Sequence, residues 1–248
     1  MKLLTFNITH PETTHLENRY EFAEGKYLEW SYRFPKLLSQ VVDLKADVIC
    51  LQEVCAMTVD EWITPLKELG YKYVMQMNDK NYKKIQNYLI NPVGKKPHSM
   101  MCMTFYKPDI TGELVKKDIR SRSLTCQFEK TTITNLHLDA KDTSMHKKHI
   151  DNLIKNNPNI ICGDFNSLLN SETYNYMTEN GYTDIYNALN KYPDETFITP
   201  TRRHILDFIW FKNCVPVDVE WLKIEKNVLI PNKTHCSDHI YILSNLQV

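Results

Sequence analysis

Short apolar runs along this chain often end in acidic, amide or imidazole side chains. The clearest run, Ile-Ile-Cys at 160–162, leads through Gly163 to Asp164 and Asn166. This pattern predicts a buried strand whose end opens into a polar site. Because residues two apart in an extended chain point to the same side, we expect Asp164 and Asn166 to converge. The alternative is an Asx-type turn before a helix that starts near Ser171.

The spacing of the other apolar residues predicts the remaining elements. Further strands are predicted at 2–8, 46–51, 71–77, 100–106, 124–128, 131–138, 206–211 and 240–243. Helical spacing predicts helices at 28–44, 62–69 and 145–155. Pro35 marks a boundary or kink near the start of the first helix. The segment 78–97 is polar, lysine-rich and without period, and we predict a loop there.

Five of these strands place chemically active side chains at one end. The residues are Asn7, Glu53, His137, Asp164 with Asn166, and Asp238 with His239. Asp207 lies inside the apolar run 206–211, where an unpaired carboxylate would be costly, so it needs a partner. Taken alone, His137 on its apolar strand is more often a core residue than a site residue. Taken together, these residues predict a metal-assisted phosphoesterase site.

The metal is predicted from the oxygen ligands. Glu53 is a hard carboxylate ligand of the kind that Mg²⁺ prefers, and Mn²⁺ is a possible substitute. Asn7 and Asp238 are further candidate ligands. Magnesium sites use one or two carboxylates, while water and substrate phosphate complete the shell.

The proton chemistry has two candidate bases. Asp207 is expected to orient His239, which would then activate the attacking water as a general base. Asp164 would orient the water or protonate the leaving oxygen; in the competing assignment Asp164 is the base and His239 a phosphate ligand. Asn166 and His137 are expected to stabilise charge on the phosphoryl oxygens.

Composition limits the class of protein. At 248 residues, with 42% hydrophobic and 24% charged residues, the chain is expected to form one catalytic domain over 1–248. No apolar segment approaches the roughly 20 residues that span a bilayer, so we expect a soluble monomeric protein without a membrane partner, in the cytoplasm with the nucleus left open. Seven cysteines without a CxxC pair suggest neither zinc nor a disulfide framework.

Charge gives a weaker indication of the partner. Thirty basic and thirty acidic side chains cancel, which argues against coating of long nucleic acid. A local basic rim is still compatible with this balance. Arginines flank the site-bearing strands, and Arg122, Arg202 and Arg203 are the predicted substrate contacts because a planar guanidinium suits phosphate. A solvated charged face is the default alternative, and it applies to Arg120 as well.

The combined motifs resemble the endonuclease/exonuclease/phosphatase superfamily. They occur in the family's order: Phe6-Asn7, Leu51-Gln52-Glu53, Leu136-His137-Leu138, Gly163-Asp164-Phe165-Asn166, Leu206-Asp207-Phe208-Ile209 and Ser237-Asp238-His239. The segments 30–35 and 46–54 are similar to the branch that holds the Angel proteins, nocturnin and the messenger-RNA deadenylases. Departures from the family are Met101, where that branch has a glycine, and Thr9, where abasic-site endonucleases have an aspartate.

The resemblance implies the fold and the reaction. The implied fold is a two-sheet α/β sandwich of the DNase I-like type, with the site at the strand ends. The implied activity is magnesium-dependent hydrolysis of RNA or nucleotide phosphoesters near an RNA 3′ end. The alternatives are a hydrolase of tyrosyl-DNA linkages, a lipid or inositol phosphatase, and an inactive binding module on the same fold.

Overall fold

Two six-stranded sheets form the centre of the protein. A computed structural model describes residues 1–15, 19–93, 99–110, 112–118 and 123–248, with backbone alone at 15, 79 and 112–118. The first sheet has the order β13-β14-β1-β2-β4-β3 and the second β5-β6-β7-β8-β12-β9. A two-stranded ribbon, β10-β11, lies apart from both sheets.

The strands have the following bounds. Those of the first sheet are β1 Lys2–Asn7, β2 Val48–Cys55, β3 Lys72–Met75, β4 Met100–Tyr106, β13 Val215–Trp221 and β14 Ile242–Gln247. Those of the second sheet are β5 Gly112–Asp118, β6 Ser123–Phe128, β7 Thr132–His137, β8 Ile160–Asp164, β9 Thr183–Asp184 and β12 Asp207–Phe211. The ribbon consists of β10 Phe197–Ile198 and β11 Arg203–His204. The pairs β1–β2 and β7–β8 are parallel, and the other pairs are antiparallel.

Seven helices alternate with the strands along the described part of the chain. Their bounds are α1 Gly25–Leu28, α2 Trp30–Asp43, α3 Val59–Glu68, α4 Asp79–Ile90, α5 His146–Ile154, α6 Glu172–Glu179 and α7 Ile185–Leu189, with 3-10 turns at Thr13–His15 and Thr143–Met145. No helix among the described residues is both long and apolar enough to cross a membrane.

The alternation along β1 shows how the layers pack. Leu3 belongs to the cluster shared with the second sheet, whereas Leu4 and Phe6 belong to the cluster that contains Leu37 and Trp62 of α2 and α3. Successive side chains of a strand point to opposite faces, so this one strand faces both the other sheet and the helices. The two-sheet α/β sandwich predicted from the sequence is confirmed.

The predicted loop at 78–97 is wrong for most of its described length, because α4 occupies Asp79–Ile90. Asn78 caps the helix by accepting a hydrogen bond from the Asn81 backbone N–H. Tyr82 and the fully buried Ile85 supply an apolar face three residues apart, but the surrounding lysines obscured this pattern. The edge strands β5 and β13 were also missed.

Candidate active site

A cavity of about 840 Å³ opens where the ends of β2, β7 and β8 meet the segment before β14. Five of the predicted catalytic and metal-binding residues line it: Glu53, His137, Asp164, Asn166 and His239. Four of them, all except Asn166, have side chains that are at most 14% exposed. Parallel pairing of β1 with β2 and of β7 with β8 brings these strand ends together from both sheets.

Asn7 joins the two carboxylates at the floor of the cavity. Its Nδ2 donates to Glu53 Oε1 over 3.2 Å and to Asp164 Oδ2 over 3.0 Å. Its Oδ1 accepts from the Thr9 backbone N–H over 3.0 Å. Because the amide nitrogen faces the carboxylates and the oxygen is engaged elsewhere, the geometry does not support Asn7 as an oxygen ligand of a metal.

Glu53 lies in a β-bulge rather than just after a strand. The pairing of β2 with β4 shifts between Leu51 and Val54, and Glu53 has a φ of 62°. A bulge re-aims one side chain, which explains how Glu53 reaches the cavity while β2 continues to Cys55. The backbone N–H of His10 donates to Glu53 Oε2 over 2.7 Å.

The ionisation of Glu53 is set by its neighbours. Burial opposes the charged form, but the charge of His137, the N–H of His10 and the amide of Asn7 outweigh it. Together they lower the pKa of Glu53 to about 2. The carboxylate is therefore anionic at neutral pH, as a cation ligand must be.

Asp207 and His239 form the predicted pair in the structure. Their Oδ2 and Nδ1 atoms are 2.8 Å apart, and the Thr196 hydroxyl donates to the same Oδ2 over 2.6 Å. Burial opposes protonation of His239, but the charges of Asp207 and Asp164 raise its pKa to about 10. The same contact that orients the imidazole therefore keeps it protonated at neutral pH, which disfavours His239 as a general base.

Asp164 has an environment that favours proton exchange near neutral pH. Burial is the main cause that raises its pKa to about 7; the charge of Asp207 adds to this, while His239 opposes it. Oδ1 accepts from the Asn166 backbone N–H over 2.8 Å, an Asx turn, and Asn166 has a φ of 47°. The Asx turn and the polar site, which the sequence offered as alternatives, are therefore both present at 164–166. Asn166 Nδ2 donates to the Leu138 carbonyl over 2.9 Å and to Asp164 Oδ2 over 3.3 Å.

Gly163 allows β8 to approach β7 at this point. An added Cβ would lie 1.9 Å from the Leu136 carbonyl oxygen, and the residue has a φ of 139°. Only glycine combines the absence of a Cβ with free access to this positive φ. The glycine of the motif therefore serves the backbone geometry that delivers Asp164.

His137 faces the two carboxylates and is not a residue of the apolar core. Its Nε2 is 3.7 Å from Glu53 Oε1 and 3.6 Å from Asp164 Oδ2. His239 Nε2 also lies 3.6 Å from Asp164 Oδ2. Two imidazoles and two carboxylates therefore share the floor of one cavity.

Asp238 points to different partners. Its Oδ1 accepts from the Thr9 hydroxyl over 2.5 Å, and its Oδ2 accepts from the Tyr20 hydroxyl over 2.5 Å and from Arg19 Nη2 over 3.1 Å. Three donors thus occupy the carboxylate. The geometry gives Asp238 a role in holding these residues and does not support it as a metal ligand.

The predicted arginines separate into three cases. Arg202 lines the cavity and is exposed. Arg203 does not line it: the guanidinium pairs with Glu195 and donates to the Val228 carbonyl over 2.7 Å. Neighbouring residues of an extended chain point to opposite sides, so only one of these two reaches the cavity. Arg122, like Arg120, lies outside the described residues.

A family profile of endonucleases, exonucleases and phosphatases matches residues 5–239. The chain belongs to the endonuclease/exonuclease/phosphatase family. The prediction of this family, and of phosphoester hydrolysis as its class of chemistry, is confirmed.

Two curated relatives are a deadenylase-type exoribonuclease subunit and an Angel protein. The chain is 25% identical over 310 residues to the CCR4-Not complex 3′-5′-exoribonuclease subunit Ccr4 of Saccharomyces cerevisiae, covering 92% of this chain and 36% of that protein. It is 29% identical over 192 residues to human protein angel homolog 2, covering 64% of this chain and 33% of that protein. The chain therefore spans well under half the length of these curated relatives.

A solved structure shares the fold over the whole chain. The crystal structure of ANGEL2, a 2′,3′-cyclic phosphatase, in complex with adenosine-2′,3′-vanadate has a TM-score of 0.76 at 18% identity. The match covers 100% of this chain and 95% of that chain. At this identity the likeness supports the fold of the family.

Two sets of side chains in this protein offer ligand atoms to a metal. Ligand atoms of Asp164, Asp207 and His239 lie within 4.8 Å of one another. However, Asp207 Oδ2 and His239 Nδ1 are already engaged in their mutual hydrogen bond, whereas the buried Asp207 Oδ1 finds no hydrogen-bond partner among the described residues. Glu53 also lines the cavity and offers the hard carboxylate oxygen that Mg²⁺ prefers.

Several cavity residues carried no signal in the sequence. Phe197 lines the cavity with its ring 4.9 Å from that of His239, and Arg19 lines another part of the wall. The amino-acid sequence around Arg19 has no apolar period, so apolar spacing does not mark this residue. Phe197 lies in a two-residue strand that is too short to show alternation.

Proposed function

We propose that this chain is a divalent-metal-dependent phosphoester hydrolase that acts at the 3′ end of RNA or on a nucleotide phosphate. The observation that carries the proposal is the cavity floor, where Glu53 and Asp164 converge on one Asn7 amide beside two imidazoles. The Ccr4 relative is a 3′-5′-exoribonuclease subunit and ANGEL2 is a 2′,3′-cyclic phosphatase. Both activities support an RNA end as the substrate.

Glu53 is the residue that we propose to hold the metal, with Mg²⁺ as the first choice and Mn²⁺ as a substitute. When bound, the ion supplies positive charge that neutralises the phosphoryl oxygens. The low pKa of Glu53 keeps its carboxylate charged for this purpose.

The proton work is assigned to Asp164. Water attacks phosphorus and its proton passes to the Asp164 carboxylate; the new P–O bond forms as the bond to the leaving oxygen breaks, and that oxygen takes a proton from solvent. A pKa of about 7 suits a group that must accept a proton near neutral pH. His239, as an imidazolium held by Asp207, and His137 then stabilise the charge on the non-bridging oxygens.

A substrate panel tests the proposal. RNA oligonucleotides that end in a hydroxyl, a phosphate or a 2′,3′-cyclic phosphate are incubated with the protein beside a 5′-tyrosyl DNA, each with magnesium and with chelator. We expect hydrolysis of at least one RNA end with magnesium only, and none by Glu53→Gln. Cleavage of tyrosyl-DNA without cleavage of any RNA end would contradict the proposal.

A further inference from the structure

Arg19 stands in one wall of the cavity next to the catalytic histidine. Its side chain is 40% exposed, and its Nη2 donates over 3.1 Å to Asp238 Oδ2, on a side chain that is only 2% exposed. Asp238 directly precedes His239 in the chain. A charged donor is therefore anchored to a buried acid at the site.

Aromatic rings fix the position of this guanidinium. Arg19 Cζ lies 5.4 Å from the ring centroid of Tyr20 and 6.0 Å from that of Phe197. The Phe197 ring in turn lies 4.9 Å from the His239 ring. Arg19, Phe197 and His239 thus form a continuous wall, with the guanidinium about one ring away from the imidazole.

The anchor itself is held from both sides. The Tyr20 and Thr9 hydroxyls donate to Asp238, and the Asp238 backbone N–H donates to Thr9 Oγ1 over 3.0 Å. A carboxylate fixed in this way holds a guanidinium without leaving its own oxygens unpaired. Because Arg19 is preorganised, less side-chain entropy is lost when it binds an anion.

A guanidinium has five N–H donors in a planar fork, and the contact with Asp238 is made through one Nη atom. The exposed part of the group lines a cavity whose floor is suited to a phosphoester. Its offset from His239 by one ring places it beside the reacting phosphoryl group rather than on it.

We infer that Arg19 is a substrate-binding residue that contacts the phosphate next to the one being hydrolysed, and that Asp238 is its positioning residue. The inference rests on the proposed function, because it takes the substrate to be an oligonucleotide. It makes Arg19 a determinant of oligonucleotide binding.

The test measures binding of a fluorescent RNA oligonucleotide in EDTA, by anisotropy over a series of salt concentrations. Loss of a charge-assisted hydrogen bond predicts binding about tenfold weaker in Arg19→Gln. Loss of one phosphate contact on a single strand lowers the slope of log K against log salt by about 0.7. Arg19→Lys should keep the slope and lose only part of the affinity.

Two control variants separate contact from structure. Lys26→Gln removes an exposed cation paired with Glu24, outside the cavity lining, and should bind like wild type. Tyr20→Phe removes a different donor from the same Asp238 carboxylate without removing a charge. We expect Tyr20→Phe to keep the wild-type salt slope.

Two results would overturn the inference. Binding by Arg19→Gln equal to wild type would exclude the contact. Equal losses in Arg19→Gln and Tyr20→Phe with an unchanged salt slope would show that Arg19 acts only through Asp238. Failure of the proposed function is distinct: wild type would then neither bind nor hydrolyse RNA, and the inference would fall with it.

Discussion

Replacement of Asp207 by asparagine tests the assignment of the proton chemistry. The change removes the charge that holds the His239 imidazolium, while leaving an amide of the same shape. Burial alone would lower the pKa of His239 from 6.5. The charge of Asp207 is the largest of the effects that instead raise this pKa to about 10. Without that charge we expect it to fall to about 7.

The size of the effect follows from the protonated fraction. At pH 8 a histidine with a pKa of about 10 is almost fully protonated, whereas one with a pKa of about 7 is only about one-tenth protonated. If the imidazolium contacts the phosphoryl group, kcat/KM of Asp207→Asn at pH 8 should fall about tenfold from this cause, and further because the ring is less well oriented. Part of the loss should be recovered at pH 6.

The limb of the profile that decides the question is the alkaline one. Asp207 also raises the pKa of Asp164, so its removal moves the acid limb to lower pH under either assignment. With Asp164 as base, wild-type activity rises through about pH 7 and falls through about pH 10, and the variant brings the falling limb down to about pH 7.

The assay is kcat/KM from pH 5 to 10.5 at one fixed magnesium concentration, because a bound cation lowers the pKa of nearby groups. Titration of the His239 ring by NMR in both proteins gives its pKa directly. With His239 as base, wild-type activity would still rise up to pH 10 and the variant would reach its plateau near pH 7. That result would refute the assignment of Asp164 as the proton acceptor.

Three further predictions concern the metal, the strand contact and the cavity rim. Glu53→Gln should lower kcat at least about a hundredfold and weaken magnesium binding, measured by activity against magnesium concentration and by calorimetry; near-normal turnover at low magnesium would contradict the metal assignment. Gly163→Ala should destabilise the protein by about 3 kcal/mol or more in urea unfolding, because its Cβ would meet the Leu136 carbonyl; Gly25→Ala, where nothing lies within 4 Å, is the matched control and should be nearly neutral. Arg202→Ala should raise KM for oligonucleotides more than for a small phosphodiester, whereas Arg203→Ala should leave KM unchanged and cost about 1 kcal/mol of stability through its pair with Glu195; equal effects of Arg202→Ala on both substrates would count against a nucleic-acid rim.

The sequence predicted those features that depend on burial. Apolar runs located most central strands, and the cost of an unpaired buried acid correctly indicated that Asp207 needs a partner. The helix α4 was not predicted because it has few apolar residues among its lysines, so its amphipathic pattern is weak. The edge strand β13 was not predicted, although apolar residues alternate from Val215 to Trp221, because Pro216 interrupts the run and weakens the strand pattern.

Residue type did not reveal which atom of a side chain faces the site. Asn7 and Asp238 have oxygen atoms suited to a metal, but the Asn7 oxygen accepts from Thr9, and the two Asp238 oxygens accept from Thr9, Tyr20 and Arg19. Contacts of this kind depend on backbone conformation at strand ends, which apolar periodicity does not encode. Arg202 and Arg203 show the same limit. They are adjacent and identical in type, but Arg202 lines the cavity whereas Arg203 pairs with Glu195.

Backbone strain beside the cavity connects the fold to the chemistry. Glu53 and Thr9 have φ values of 62° and 55°, which cost non-glycine residues about 1–3 kcal/mol each, and most of all a β-branched residue such as Thr9. Glycine or asparagine would relieve the strain, but neither offers the carboxylate that faces the cavity or the hydroxyl that holds Asp238. The fold thus tolerates strain at two positions where side-chain chemistry is needed, as expected where function rather than stability selects the residue.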